Sequence, residues 1–296
     1  MGFLTDLAGT IRRELDEHRL QLEELTAAAS SRAPARSLPD ALRRAPIPAV
    51  IAEVKRASPS AGAIDADADP AALARAYEAG GAAAISVLTE PRHFGGSLVD
   101  LELVRAVAGI PVLRKDFLIH PDQLVEARAA GADSVLLIAA CLDDELLDRM
   151  ISGARAWGME PLLETHSDDD LKRAFATDAQ VIGVNARDLE TLDVDVPMAL
   201  GRLRSIPPGR IAVFESGIAS HEDVVAAVAA GASAILVGEA LMRAADPAAA
   251  IGAIVRGPEL AGRHPGAGEE IARASRPAPT NTVASAPTGG ATRRRC

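Results

Sequence analysis

The chain has 296 residues, a formal net charge of −10 and an isoelectric point near 5.2, which argues against a general nucleic-acid binder, whose footprint would be a basic face. With 48% apolar residues it can bury one large core, and α/β barrels commonly use about this length for a single domain. The two cysteines, Cys141 and Cys296, suggest neither a disulfide framework nor a metal-ligand spacing, and no stretch reads as a bilayer span or secretory signal, so a reducing cytoplasm is expected.

From Phe3 to about Ala29, Leu4, Leu7, Ile11, Leu15, Leu20, Leu22 and Leu25 recur among many charges. This pattern predicts an amphipathic helix that caps or flanks the repeating part of the chain; a coiled-coil partner helix is the rival reading, but the run is too short for several heptads. Ser30 to Pro48 reads as a connector with one helical turn around Asp40 to Arg44.

Beyond Val50 the chain alternates β-like and helical runs. Strands are expected from Val50, then over Ala83–Leu88, Pro111–Lys115, Ser134–Ile138, Pro161–Glu164, Val181–Asn185, Ile211–Glu215 and Ala234–Val237. Helices are expected near Pro70–Ala79, Leu98–Ala108, Pro121–Ala130, Asp144–Trp157, Asp168–Phe175, Val196–Leu203 and His221–Ala230. The sequences Ala79–Ala82, Ala130–Ala132 and Ala230–Ala232 look like one glycine-closed helix ending used three times. The fold class is therefore α/β, a single (β/α)8 TIM barrel over residues 49–256, with a doubly wound sheet as the alternative. Residues 1–48 form the extra N-terminal helix and connector. Residues 257–296, rich in Pro, Ala, Gly, Ser and Thr and ending in Arg293-Arg294-Arg295-Cys296, read as a disordered tail.

A barrel places its active site at the carboxyl ends of the strands. Polar residues gather there: Glu53 and Lys55 on one face of the first strand, Lys115 and Asp116 on the third, Glu164 on the fifth, Asn185 and Arg187 on the sixth, Glu215 and Ser216 on the seventh. Burying charge is costly unless it is paired or used, so this convergence points to a site, although a structural Glu53–Lys55 pair is also consistent. Gly217 and Gly238 open βα turns after the last two strands, the usual phosphate cradle of barrels. With Ser58-Pro59-Ser60 nearby, they favour a phosphorylated small molecule over glycines that merely make tight turns.

Several motifs carry a family resemblance: Glu-Val-Lys-Arg-Ala-Ser-Pro-Ser from Glu53, Ser-Val-Leu-Thr-Glu-Pro-Arg-His-Phe-Gly-Gly-Ser from Ser86, Leu-Arg-Lys-Asp-Phe from Leu113, Glu-Thr-His-Ser from Glu164, Gly-Val-Asn-Ala-Arg-Asp-Leu from Gly183 and Glu-Ser-Gly-Ile from Glu215. In order, from about Phe3 to Val255, the chain resembles indole-3-glycerol phosphate synthase. The resemblance implies a (β/α)8 lyase of tryptophan biosynthesis without metal or organic cofactor. It would convert 1-(2-carboxyphenylamino)-1-deoxyribulose 5-phosphate into indole-3-glycerol phosphate, carbon dioxide and water.

It further implies Lys115 as general acid of ring closure, Lys55 on the substrate carboxylate with a share in proton transfer, and Glu164 as acid or base of dehydration. Asn185 and Glu53 would position Glu164 and the substrate hydroxyls, and Glu215 would stabilise cationic character. Phosphate would rest on Ser58, Ser216, Gly217, Gly238 and Glu239; Phe94, Phe117, Leu189 and Leu192 would wall the aromatic ring; Arg187 would support the carboxylate end. Ala61, where many relatives carry Lys, and Phe214, where a small residue is common, depart from the pattern. His93, His120 and His166 fall in βα loops without metal-ligand spacing, and His166-Ser167 with Asp170 reads as a helix start. Cys141 reads as a loop residue and not a nucleophile. No nucleic-acid or membrane partner is expected, and a monomer is the expected state, with a weak oligomer as the alternative. A phosphoribosylanthranilate isomerase would want a Cys and Asp pair that these strand ends lack. A barrel that only binds a sugar phosphate would have no need of Lys115 or Glu164.

Overall fold

Short aliphatic runs buried on both faces make the core, as expected of parallel strands covered by helices. In a computed structural model that describes residue 9 and residues 22–257, these runs form β1 (Ala49–Val54), β4 (Ala84–Leu88), β5 (Val112–Lys115), β6 (Ser134–Ile138), β7 (Leu162–Thr165), β8 (Val181–Asn185), β9 (Ile211–Glu215) and β10 (Ala234–Val237), with a small antiparallel hairpin of β2 (Ala57–Ser58) and β3 (Gly62–Ala63) after β1. The eight long strands close in the order β1-β10-β9-β8-β7-β6-β5-β4, each pair parallel. The sheet is therefore a closed barrel and not a doubly wound sheet.

Local chemistry sets the helices between the strands. Asp69, Ser97, Asp143 and Asp195 cap their helices through a side-chain oxygen, and Ser167 and Ser220 each form a reciprocal capping box with Asp170 and Asp223. The shared helix ending is present: Gly81, Gly131 and Gly231 have φ of 94°, 97° and 105°. Elements that the sequence pattern does not reveal are mostly short, namely the hairpin, the helices Pro91–Phe94 and Glu239–Met242, and the 3₁₀ turn Ala139–Cys141. Four residues are too few for a periodicity to register. The helix Pro247–Arg256 did leave a signal, an Asp246 cap followed by proline at the first helical position.

Among the described residues ahead of the barrel lie the helices Leu22–Ser31 and Leu38–Arg44. The second is longer than the single turn expected, because Ser37 caps it and Leu38, Pro39 and Leu42 are buried. The expected helix before Leu22 and the tail expected beyond Gly257 lie outside the described residues. Leu38–Arg44 packs against β1, β4 and β9 at the amino ends of the strands. Polar anchors fix this segment. Arg36 donates its backbone N–H to Asp133 at 2.9 Å and its guanidinium to the Ile110 carbonyl at 2.7 Å, while Arg32 reaches the Ala129 carbonyl at 2.7 Å. Asp133, fully buried just before β6, also accepts from Val112 N at 3.0 Å and faces Arg36 and Arg105 at 3.7 and 3.3 Å.

Removing that carboxylate leaves cationic groups half-buried and unbalanced. Breaking a wholly buried pair costs ~3–5 kcal/mol, and the partial exposure of both arginines reduces this, so Asp133→Asn is expected to lower stability by ~2–4 kcal/mol. Urea unfolding at constant m-value checks it; an unchanged midpoint would show that the anchor contributes nothing.

Candidate active site

The strand register decides which side chains meet. Successive residues alternate across a strand, so Glu53, Lys115, Glu164, Asn185 and Glu215 point into the barrel at its carboxyl end. There they line a cavity of about 600 Å³, together with Lys55, Ser58, Phe94, Phe117, Arg187, Leu189, Leu192, Ser216, Gly217, Gly238 and Glu239. Every residue proposed from the sequence for catalysis, phosphate binding or ring contact borders this one space.

At its floor the Lys115 ammonium lies 2.8 Å from Glu164 Oε2 and 3.1 Å from Glu215 Oε2, with both carboxylates almost fully buried. Burial alone would lower the lysine pKa, but Glu164, Glu215 and Glu53 outweigh it and hold the ammonium above the ordinary lysine range. The two acids diverge. Burial pushes Glu164 up, yet Lys115 and His166 overcome it and keep its carboxyl well below the usual range. Glu215, for which burial and the Glu164 charge outweigh Lys115, sits well above it. Of the two carboxyls, Glu215 therefore holds a proton the more readily.

Gly183 makes this arrangement possible. It lies on β8 between the strands that carry Glu164 and Glu215, in register with Glu164. A Cβ there would stand 2.2 Å from Glu215 Oε1. Gly238 gives room in the same way, since its Cβ would come within 2.4 Å of Glu53 Oε1. Glu53 instead pairs with Lys55 at 2.9 Å, so the two charges share a face as the alternation predicts, and that pair borders the cavity.

The walls are built by the loops. Buried Arg114 binds Asp116 at 3.0 Å and Glu126 at 2.7 Å; Asp116 accepts from Thr89 Oγ1 at 2.6 Å and from Phe117 N at 2.8 Å, which fixes the turn that presents Phe117. Glu90 accepts the N–H groups of Arg92, His93 and Phe94, so it caps the short helix that presents Phe94. The two rings lie 6.4 Å apart at 41°. Opposite them, Asp188 accepts from Glu190 N and Thr191 N at 2.8 Å, and Arg187 reaches the Leu192 carbonyl at 2.7 Å, closing a turn that exposes Leu189 and Leu192. At the far end Ser216 and Gly217 both have left-handed backbones, with φ of 65° and 76°, followed by the Ser220-capped helix. Consecutive N–H groups in such a turn form an anion-binding concavity.

A scan against family models matches residues 5–254 to the model described as indole-3-glycerol phosphate synthase. The chain belongs to the indole-3-glycerol phosphate synthase family. Relatives bearing that name include one from Streptomyces coelicolor, 48% identical over 267 residues that cover 90% of this chain and 97% of the relative. Another, from Mycobacterium tuberculosis, is 49% identical over 249 residues, covering 84% and 90%. Among solved structures, a thiamine phosphate pyrophosphorylase from Pyrococcus furiosus aligns at a TM-score of 0.53 and 16% identity, over 77% of this chain and 100% of its own, a likeness of fold alone. The family reaction is the carboxy-lyase step of tryptophan biosynthesis: ring closure, decarboxylation and dehydration of a phosphorylated carboxyphenylamino-deoxyribulose.

Beside that family reading the geometry adds two residues. Glu164 bonds Lys115 and His166, while Asn185 accepts the Arg187 N–H at 3.0 Å and Glu53 pairs with Lys55. His166, read from sequence only as a helix start, bonds Glu164 Oε1 at 2.7 Å. Its capping neighbours hid that second role. Arg243 borders the same cavity and is paired with Glu239 at 3.0 Å, which places a cation in the lining despite the departure at Ala61. Cys141 is largely buried, its thiol pushed up by desolvation to about 12.

Gly183→Ala is expected to rotate the Glu215 carboxylate away from Lys115 and cut turnover by about 10²-fold, the effect of a displacement near 1 Å at a catalytic group. Steady-state rates with a thermal melt check this; full turnover in a folded variant would mean that Glu215 need not stand where it does.

Proposed function

We propose that Lys115 is the general acid of ring closure and that Glu164 serves the later dehydration. The observation that supports this reading is the position of the Lys115 ammonium, 2.8 Å from Glu164 and 3.1 Å from Glu215 at the floor of the cavity. An ammonium so paired is a weak acid. When the ketose carbonyl is attacked by the ring carbon that carries the carboxylate, the oxygen becomes an alkoxide far more basic than a lysine amine. Proton transfer from Nζ is then downhill, and the barrel donor needs no reorganisation beyond release from a carboxylate.

Loss of carbon dioxide restores the aromatic ring, and loss of the new hydroxyl with a proton from the adjacent carbon completes the indole. Glu164, freed from the amine, takes that proton, and Glu215, the carboxyl that holds a proton the more readily, is proposed to give one to the departing hydroxyl. Lys55 and Arg187 are proposed to hold the substrate carboxylate, with Asn185 and Glu53 binding hydroxyls. Phe94, Phe117, Leu189 and Leu192 enclose the ring. Ser58, Ser216, Gly217, Gly238 and Glu239 hold the phosphate, chiefly through N–H groups, a placement supported by the left-handed turn at Ser216 and Gly217. We assign catalysis to residues 49–256 and place the protein in the cytoplasm as a monomer. Among the described residues no helix is long and apolar enough to cross a membrane.

Lys115→Met is expected to lose turnover by ~10²- to 10⁴-fold while substrate still binds, measured by indole fluorescence and by equilibrium titration. Near-normal turnover would transfer the role to Lys55. The phosphate assignment has its own check. Ala at position 217 must adopt a left-handed φ at ~1–2 kcal/mol and meets Val196 Cγ2 at 2.7 Å, so Gly217→Ala should raise both KM and the inhibition constant of inorganic phosphate about tenfold. Unchanged phosphate inhibition would remove Gly217 from the cradle.

A further inference from the structure

His166 does not border the cavity, yet both of its ring nitrogens are engaged by acceptors. Nδ1 lies 2.9 Å from the Arg187 carbonyl and Nε2 lies 2.7 Å from Glu164 Oε1. A carbonyl oxygen can only accept, so Nδ1 carries hydrogen. If Glu164 is ionised it too can only accept, so Nε2 also carries hydrogen and the ring is an imidazolium. The contacts are held from outside: Asp170 accepts the His166 backbone N–H at 3.0 Å and Arg202 donates to its carbonyl at 2.6 Å.

We propose that His166 is a positioning residue that, as a cation, keeps Glu164 ionised, aims its Oε2 at Lys115 and ties it to the loop that carries Arg187. This inference rests on the reading of Glu164 as an acid-base residue. The ring links a strand-end carboxylate to the backbone of the neighbouring substrate loop, so a shift in either is felt by the other. Five charged groups surround it, namely Glu164 from the preceding strand, Lys115 from β5, Asp188 from the loop after β8, Asp170 from the following helix and Arg202 from the helix Val196–Leu203, while Arg187 in that loop presents its carbonyl. Burial opposes the charge on His166, but its bonds to Glu164 and to the Arg187 carbonyl prevail and hold its pKa above the ordinary imidazole value.

That charge fixes the direction of the pH dependence. Below the raised pKa the imidazolium is present and Glu164 is held. As pH rises through it, Nδ1 keeps its hydrogen for the carbonyl, and Nε2 presents a lone pair to a carboxylate, which turns away. Turnover therefore falls on the alkaline side with the titration of His166.

The test compares His166→Gln, which can donate one uncharged N–H to Glu164, with His166→Phe, which can donate none, and uses Glu164→Gln to test the underlying reading separately. A hydrogen bond to a charged group is expected to be worth about 10- to 100-fold in kcat, so Phe should lose that much and Gln less, with KM within about threefold. In His166→Gln the alkaline limb of the kcat profile set by the imidazole should vanish. On the Glu164→Gln background the second change should cost nothing further. If His166→Gln retains the wild-type limb, or if the kcat of a folded His166→Phe stays within twofold of wild type, the inference is overturned. If Glu164→Gln itself turns over normally, the acid-base reading of Glu164 fails instead. Should His166→Phe not fold, the Gln variant decides through its limb.

Discussion

One lysine between two buried carboxylates governs the geometry of this barrel floor. Desolvating ionisable groups together is tolerable only where opposite charges are paired, and here the Lys115 ammonium lies within 3.1 Å of both carboxyls, Glu164 being held below and Glu215 above the usual carboxylate range. Two neighbouring features answer to that requirement. Gly183 is bare so that the second carboxyl fits, and the other oxygen of Glu164 is held by a histidine. Lys115 is held between two carboxyls, of which Glu164 is itself bonded by His166.

The remaining half of the cavity obeys a different logic. Around the left-handed turn at Ser216 and Gly217 the lining offers backbone N–H groups and hydroxyls, which carry no net charge. Side chains at the floor can change protonation while the opposite end stays constant. A chain with a net charge of −10 can thereby bind an anion through dipoles and a few local cations.

Much of this was legible in the sequence, and for physical reasons. Parallel strands buried on both faces are continuous apolar runs, so β6 with Ser-Val-Leu-Leu-Ile and β8 with Val-Ile-Gly-Val-Asn could be placed from their letters. Strand ends are where a barrel tolerates charge, so Lys115, Glu164 and Glu215 stood out. What stayed hidden was relational. Nothing local to Gly183 says that its missing side chain is space for a carboxyl 32 positions later, because that contact exists only once β8 and β9 lie side by side. His166 was hidden by a simpler explanation, the Ser167 capping box, which is present and also fixes the backbone from which the ring reaches Glu164. The pairing of Glu53 with Lys55 could be read from alternation alone, but not that Glu164 would bond His166.

The segment that closes the amino ends of the strands has a consequence for how such a protein can change over time. Its arginines bind carbonyls and one aspartate that belong to turns at the end opposite the chemistry. A lineage could therefore rewrite the loops after β4, β5 and β8 to admit a new ring or leaving group while inheriting its closure unchanged. Conversely, a designer who wants a hardier scaffold can remodel the region around Leu38, Leu42 and Asp133 without disturbing an atom that meets the substrate.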